Sequence, residues 1–247
     1  MQIIEALIAG ALIGSVLGLV GAGGAMLSVP ILIYGFNFPP KSATVAALAI
    51  VFSAAFAGAI PKLKAKQILV KDSLIIWALG LVTNIGGAIF AKHLSDKFIT
   101  IGFAIILVSA ATSMLLKPIS NKDEKHRSIL VLIVISLIIG AMTGIFGVGG
   151  GFLAIPVLVI FFHISHEKAS GTSLLLIALN CATAFITHYP KWHEISWQVP
   201  LGMAISAIVV TSFASSKSKR VPVSVLRRAF AILLYSIALY TVIKSFN

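Results

Sequence analysis

The sequence predicts an all-α polytopic membrane protein made of two inverted repeats. Each repeat has about five hydrophobic segments and a helix broken by glycines at the midplane. Three observations carry this expectation. Hydrophobic residues make up 59% of the 247 and charged residues only 11%, with a mean hydropathy of +1.07. A soluble domain of this length needs far more charge on its surface. Several apolar runs reach the roughly 17–25 residues that span a hydrocarbon core. Finally, the stretch GLVGAGGAMLSVP at 18–30 returns as GIFGVGGGFLAIP at 144–156.

The apolar segments run 2–20, 24–36, 43–60, 73–91, 98–116, 129–147, 152–163, 171–189, 198–213 and 224–243. The most polar connection, KPISNKDEKHRS at 117–128, separates a first half, 1–116, from a second, 129–247. A shift of 126 residues lays Gly14, Gly18, Gly21, Gly23 and Gly24 on Gly140, Gly144, Gly147, Gly149 and Gly150. It also lays Leu27, Pro30 and Leu32 on Leu153, Pro156 and Leu158, making eight identities in the 21 positions 14–34. Farther on the offset drifts by a few residues. Ser42 and Thr44 match Ser170 and Thr172, Pro61-Lys62 matches Pro190-Lys191, and Phe103-Ala104 matches Phe230-Ala231. Repetition of this kind marks a duplicated unit.

Five segments per half is an odd number, so the halves insert in opposite senses, and charge tests this. Connection 61–71 carries Lys62, Lys64, Lys66 and Lys71, whereas its counterpart 190–197 has only Lys191, set against Glu194. Connection 92–97 has Lys92 and Lys97 against Asp96, whereas 214–228 has Lys217, Lys219, Arg220, Arg227 and Arg228. Basic connections stay cytoplasmic. The pattern therefore places 61–71, 117–128 and 214–228 in the cytoplasm and both termini outside, across a plasma membrane. The net charge of +12 has the same origin, in connections that face anionic headgroups, and no nucleic-acid motif accompanies it. The start, MQIIEALIAGALIG, lacks the basic n-region of a signal peptide and reads as mature protein. Cys181 is the only cysteine, which excludes an intrachain disulfide and metal-ligand cysteine spacing.

Segments 24–36 and 152–163 are each roughly 20 Å long as helix, short of a core near 30 Å. They predict a helix, a break at the glycines, and a short helix starting near Ala25 or Gly151. Non-helical backbone at membrane depth must line a cavity or be buried in protein. A glycine turn leading into a helix start offers free N–H groups and lets a ligand approach the backbone closely. Gly21, Gly23, Gly24 and Ala25, with Gly147, Gly149, Gly150 and Gly151, are thus candidates to bind a small oxyanion. Close helix packing is the other reading of such glycines. It is the reading favoured for Gly10, Gly14 and Gly140.

All seven acidic residues, Glu5, Asp72, Asp96, Asp123, Glu124, Glu167 and Glu194, lie at segment ends or in connections. An acidic proton relay is unsupported, and an interior without fixed negative charge favours an anion. Thr44, Thr172 and Ser173 are candidate substrate contacts or bond their own helices. Asn84 and Asn180 carry amides that lipid cannot satisfy, so they line the pathway or pair within the protein. His188 is a substrate contact or an interfacial histidine. No metal ligand set, cofactor motif or catalytic pair is present. The run GVGGG is not followed by Lys-Ser or Lys-Thr, which argues against a nucleotide site.

The glycine motif after the first segment, its copy after a central linker and a length near 250 residues resemble the TauE/SafE family of sulfite exporters, also called the toluene-sulfonate uptake permease family. The resemblance covers nearly the whole chain. ASGTSLLLIALNCATAFITHYPKWHEISW, 169–197, is similar to the family's Gly-Thr-Ser stretch with a later histidine, which maps Gly171, Thr172, Ser173 and His188 onto it. The first half departs from the pattern: its stretch ATVAALAIVFSAAFAGAIPKLKAKQI, 43–68, has Thr44 but neither Gly-Thr-Ser nor histidine. The resemblance implies transport of small sulfur-containing anions such as sulfite or organosulfonates. The expected function is a secondary transporter, an exporter by alternating access, with no enzymatic activity and no cofactor. Its partners are the small anion and the lipid bilayer, no nucleic acid is expected, and a homo-oligomer is left open. A non-transporting subunit or assembly factor of a larger complex is the alternative.

Overall fold

A computed structural model of the chain describes residues 2–91, 93–116, 129–146, 155, 158, 164–218 and 222–246. The linker 117–128, the glycines Gly147, Gly149, Gly150 and Gly151, and most of segment 152–163 lie outside the described residues. The described residues are helical, with no strand among them.

The chain begins with α1 (Gln2–Val20), apolar on every face. Gly21 ends it at φ +83, its N–H donating to the Leu17 carbonyl at 2.8 Å, the single-bond left-handed cap that glycine adopts without a Cβ penalty. A second left-handed glycine, Gly23 at φ +90, starts α2 (Gly24–Pro30). Pro30 has no N–H to give, and the helix widens into a π-helical turn at Ile31–Gly35. Asn37, at φ +56, turns the chain into α3 (Pro40–Lys64), where Pro40 takes the first helical position.

Lys66 closes α3 at φ +55, with Lys66 N–H on the Leu63 carbonyl and Gln67 N–H on the Lys62 carbonyl. This is a Schellman cap with lysine where glycine is usual. There follow α4 (Val70–Ala91), α5 (Asp96–Leu116), α6 (Ile129–Phe146) and α7 (His166–Thr187). A 3₁₀ turn at Tyr189–Glu194, α8 (Gln198–Lys217) and α9 (Val223–Phe246) complete the described chain. Among the described residues four helices, α1, α3, α7 and α8, are long and apolar enough to cross a membrane by length and composition. Large apolar side chains such as Val82 and Leu130, both 71% exposed, face outward. Lipid, not water, solvates such a surface.

Close contacts give each helix its direction. On α1, a Cβ at Gly10 would strike the Met203 carbonyl, one at Gly14 would lie 2.8 Å from that of Ala207, and one at Gly18 2.7 Å from that of Thr211. So α1 and α8 run parallel. Gly58 lies against Thr211, its carbonyl accepts from Ser215 Oγ at 2.7 Å, and Lys62 donates to Ser218, so α3 runs the same way. Against them run α4, α6 and α7. Leu69 N–H donates to Thr172 and Trp77 Nε1 to Thr183, making α4 and α7 parallel. Gly80 sits against Gly140 on α6, while Gly171 of α7 meets Gln67 just past the end of α3.

One contact occurs twice. Gly14 packs on Ala207 beside Thr211, and Gly140 packs on Gly80 beside Thr83. The two most extensive helix pairs, α1 with α8 and α4 with α6, are built around these contacts. Small residues let backbones approach at van der Waals distance, which drives helix association where lipid removes the hydrophobic term. Gly10, Gly14 and Gly140 are therefore packing glycines, as their spacing predicts.

The first glycine break is not at the middle of the bundle. Gly18 is level with Ala214, three residues before α8 ends at Lys217. α1 uses its full 19 residues before the break. The break therefore sits at the end where α3 and α8 finish and α4 and α7 begin. From there, Gly24 to Phe36 leads away. Tyr34 makes an edge contact with Tyr240, with ring centroids 6.1 Å apart. Tyr240 lies seventeen residues, roughly 26 Å of helix, beyond the start of α9 at Val223. The short segment thus carries the chain toward the opposite end in roughly 20 Å of helix.

Candidate functional site

The break at Gly21–Gly23 rests on the second half of the chain. A Cβ on Gly21 would overlap Ser170 Oγ and lie 2.7 Å from the Ser170 carbonyl. Ala22, between the two left-handed glycines, is fully buried. The first turn of α2 leaves N–H groups without helical acceptors, and its first backbone bond there is Leu27 N–H to the Gly23 carbonyl at 3.3 Å. Gly24 is buried against Leu17, and Ala25 lies in the same first turn of α2.

Polar groups ring this end of the bundle. Next to Ser170, Gly171 has no room for a Cβ because the Gln67 carbonyl occupies it. Gln67, 6% exposed, donates Nε2 to the Glu167 carboxylate at 2.7 Å. Lys62 is 2% exposed and donates to Ser218, whose own hydroxyl donates to the Ser215 carbonyl. The sequence shows Lys62 only as one of four lysines in a basic connection. Burial separates it from Lys64, Lys66 and Lys71, all exposed. No periodic signal marks it, because it falls in the last turn of α3, where a lysine reads as solvated.

Thr172 and Ser173 are fully buried in α7. Thr172 accepts from Leu69 N–H at 3.1 Å and so ties the start of α4 to α7. Ser170, absent from the sequence-level candidates, is the neighbour that touches the break. Its Oγ is the only buried side-chain polar atom among the described residues without a hydrogen-bond partner.

Asn84 and Asn180 are brought together. With Ile76, Gly80, Ile139, Gly140 and Leu176 they line a cavity between α4, α6 and α7. It offers about 10 Å³ to the centre of a water-sized sphere, room for one water and too little for a sulfonate. Along α7, Asn180 lies ten residues, roughly 15 Å, from Ser170.

His188 and Thr44 lie elsewhere. His188 follows the last turn of α7, and a carbonyl can only accept, so Nδ1 donates to Ala184 at 2.7 Å. Phe185, Trp192, Trp197 and Tyr189 pack beside it, Phe185 and Trp192 stacked at 4.2 Å. This aromatic cluster suits a membrane interface. Thr44 is exposed in the first turns of α3, at the same far end. The structure therefore joins the first break to the start of α7, joins the asparagines to each other, and keeps His188 and Thr44 apart from both.

A family model described as "Sulfite exporter TauE/SafE" matches residues 6–241. The chain belongs to the sulfite exporter TauE/SafE family. Curated relatives agree on the class. A "Probable membrane transporter protein" of Xylella fastidiosa (strain 9a5c) is 24% identical over 252 residues, covering 96% of this chain and 93% of the relative. "Probable membrane transporter protein YunE" of Bacillus subtilis (strain 168) is 23% identical over 233 residues, with 84% and 85% covered. A namesake in Haemophilus influenzae is 27% identical over 267 residues, covering 98% of each chain. No solved structure matches the chain. It is a multi-pass membrane transporter. Within this TauE/SafE chain, Ser170, Lys62 and Gln67 are among the buried polar residues that spacing alone does not reveal. Among the described residues no cluster of three or more His, Cys, Asp or Glu is placed to hold a metal ion.

Proposed function

We propose that the chain is a secondary transporter that exports small sulfur-containing anions, sulfite or organosulfonates, by alternating access across the plasma membrane. The carrying observation is the opposed direction of equivalent helices. The repeat pairs α1 with α6, α3 with α7 and α4 with α8. In each pair the two members run oppositely, and the contact Gly14–Ala207–Thr211 reappears as Gly140–Gly80–Thr83. Inverted halves of this kind can exchange conformations and expose one site to each side in turn.

Charge supports the orientation. The end holding the break also holds Lys62, Lys64, Lys66, Lys71 and Lys217, which makes it cytoplasmic by the positive-inside rule. Both termini are then outside. A potential of about 100 mV, inside negative, drives each negative charge outward by roughly 2.3 kcal/mol. A monovalent anion therefore leaves without a coupling ion, and a divalent one gains about twice as much. The glycine backbone and the hydroxyls around it provide the donors that an oxyanion accepts. By repetition the same role falls to Gly147, Gly149, Gly150 and Gly151. The test is flux through purified protein in proteoliposomes, against sulfite, sulfoacetate, thiosulfate, sulfate and chloride. Potential-driven movement of sulfite or a sulfonate is the expected result. Absence of flux for every anion overturns the reading.

A further inference from the structure

We propose that the Ser170 hydroxyl is a substrate-binding group for an oxyanion, engaged when the Gly21–Gly23 turn moves off it. This rests on the transporter reading above and names a residue that reading did not contain. Three observations on different parts of the chain converge here.

The first is an unmet donor. A serine inside a helix ordinarily donates to the carbonyl four residues back. Ser28 does so to Gly24, Ser53 to Ala49 and Ser73 to Leu69, at 2.7–2.9 Å. Ser170 also lies inside a helix and is 3% exposed, yet its Oγ has no partner. A buried polar group left unpaired costs stability, so its retention points to a use outside this conformation.

The second is what covers it. The hydroxyl is in contact with a turn whose two glycines, Gly21 and Gly23, both hold left-handed backbone. Such a turn is the part of the chain best able to re-set its dihedrals. It joins α1, held along its length by α8, to the short α2. Shifting the turn uncovers Ser170 without breaking the α1–α8 seam.

The third is charge. Ser170 is followed by Gly171, which touches Gln67, and Gln67 caps the helix turn that carries buried Lys62. The hydroxyl thus lies at the polar ring of the bundle end, whose members include Lys62 with its ammonium on Ser218, at the end proposed to face the cytoplasm. The Glu167 carboxylate in that ring is engaged by Gln67 Nε2. An oxyanion arriving from that side meets the end that carries Lys62, Lys64, Lys66, Lys71 and Lys217 and a hydroxyl with a hydrogen to donate. The ligand class is a small tetrahedral or pyramidal oxyanion.

The experiment compares wild type with Ser170→Ala and Ser170→Cys in proteoliposomes. It reads KM for sulfite and sulfoacetate, and in detergent it reads the melting temperature with and without each anion. Loss of one hydrogen bond to a charged acceptor predicts a KM about ten- to a hundredfold higher for Ser170→Ala. The anion-induced rise in melting temperature should shrink in step, while the anion-free melting temperature stays level or rises because an unpaired polar group is gone. Ser170→Cys, nearly the same size but a weaker donor, should fall between. Unchanged KM and an unchanged anion-induced shift in Ser170→Ala overturn the proposal and leave the transporter reading intact. So does a lower anion-free melting temperature with unchanged KM, which marks a packing role. Wild type that neither moves nor is stabilised by any anion overturns the transporter reading itself, and the proposal with it.

Discussion

Replacing Gly21 by alanine tests the geometry of the break. The residue has φ +83, where an ordinary side chain costs about 1–2 kcal/mol. Its Cβ would also overlap Ser170 Oγ and lie 2.7 Å and 2.8 Å from the Ser170 carbonyl oxygen and Cα. Two of those atoms belong to a helix backbone, so the clash cannot be relieved by a rotamer change, and overpacking adds about 1–3 kcal/mol. The expected loss is about 2–5 kcal/mol, a large share of the stability of an ordinary domain. Gly24→Ala is the control. Its Cβ meets only the Leu17 side chain, nearest at the methyl carbons at 3.1 Å, so the expected cost is below about 1 kcal/mol. Adding Ser170→Ala to Gly21→Ala removes the struck hydroxyl but leaves the carbonyl, so about 1 kcal/mol should return as a coupling energy. Thermal unfolding in detergent, repeated by denaturant titration, measures wild type, the three single variants including Ser170→Ala, and the double variant. If Gly21→Ala is as stable as Gly24→Ala, the break does not lie on Ser170, and the reasoning built on that contact is refuted.

Three further outcomes follow from single contacts. Gly86 has nothing within 4 Å of an added Cβ whereas Gly140 would strike Gly80, so Gly86→Ala should be neutral or stabilising by up to about 1 kcal/mol. Gly140→Ala should lose about 1–3 kcal/mol. Equal melting temperatures for the two would contradict the α4–α6 seam. Lys66→Gly should gain about 0.5–1 kcal/mol, because the Schellman position at φ +55 favours glycine; a loss measured by the same unfolding assay would show that the lysine side chain is needed there. Asn180→Leu should insert and fold but lower flux, and unchanged substrate affinity with unchanged flux would remove the asparagine cavity from the pathway.

Much of the fold is legible because membrane segments announce themselves by length and the repeat by its glycines. The packing role of Gly10, Gly14 and Gly140 follows from spacing alone. What the sequence misplaces is level. A helix break reads as a midplane feature when neighbouring spans are unknown, since order along the chain says nothing about height in the bundle. Only the register of Gly18 with Ala214 shows that α1 is already complete when the break comes. Lys62 and Ser170 were invisible for a related reason. Each sits in a stretch with several residues of its own kind, Lys64 and Lys66 for one and Ser173 and Thr172 for the other. Burial, which depends on a partner helix distant in sequence, is what singles them out. Asn84 and Asn180 were legible individually because an amide within an apolar run is conspicuous, but nothing in their separation of 96 residues foretells a shared cavity.

The duplicated and the unduplicated parts of the molecule have different physical duties. The glycine–threonine seam occurs twice, each time joining a helix of one half to a helix of the other, and close backbone packing leaves it few alternative arrangements, so each pair behaves as a stiff unit. The two asparagines do not recur. The asparagine cavity lies among α4, α6 and α7. At the corresponding depth of α3, Ser53 spends its hydroxyl on the Ala49 carbonyl at 2.8 Å, with Phe52 beside it. Rigid units related by inversion can exchange roles at little cost in internal contacts. Unequal linings make the two resulting barriers unequal to an anion. A transporter built this way derives its motion from what is repeated and its selectivity from what is not. Substitutions at the seams should therefore change stability first, and under the proposed anion transport those at Asn84 and Asn180 should change which anion passes.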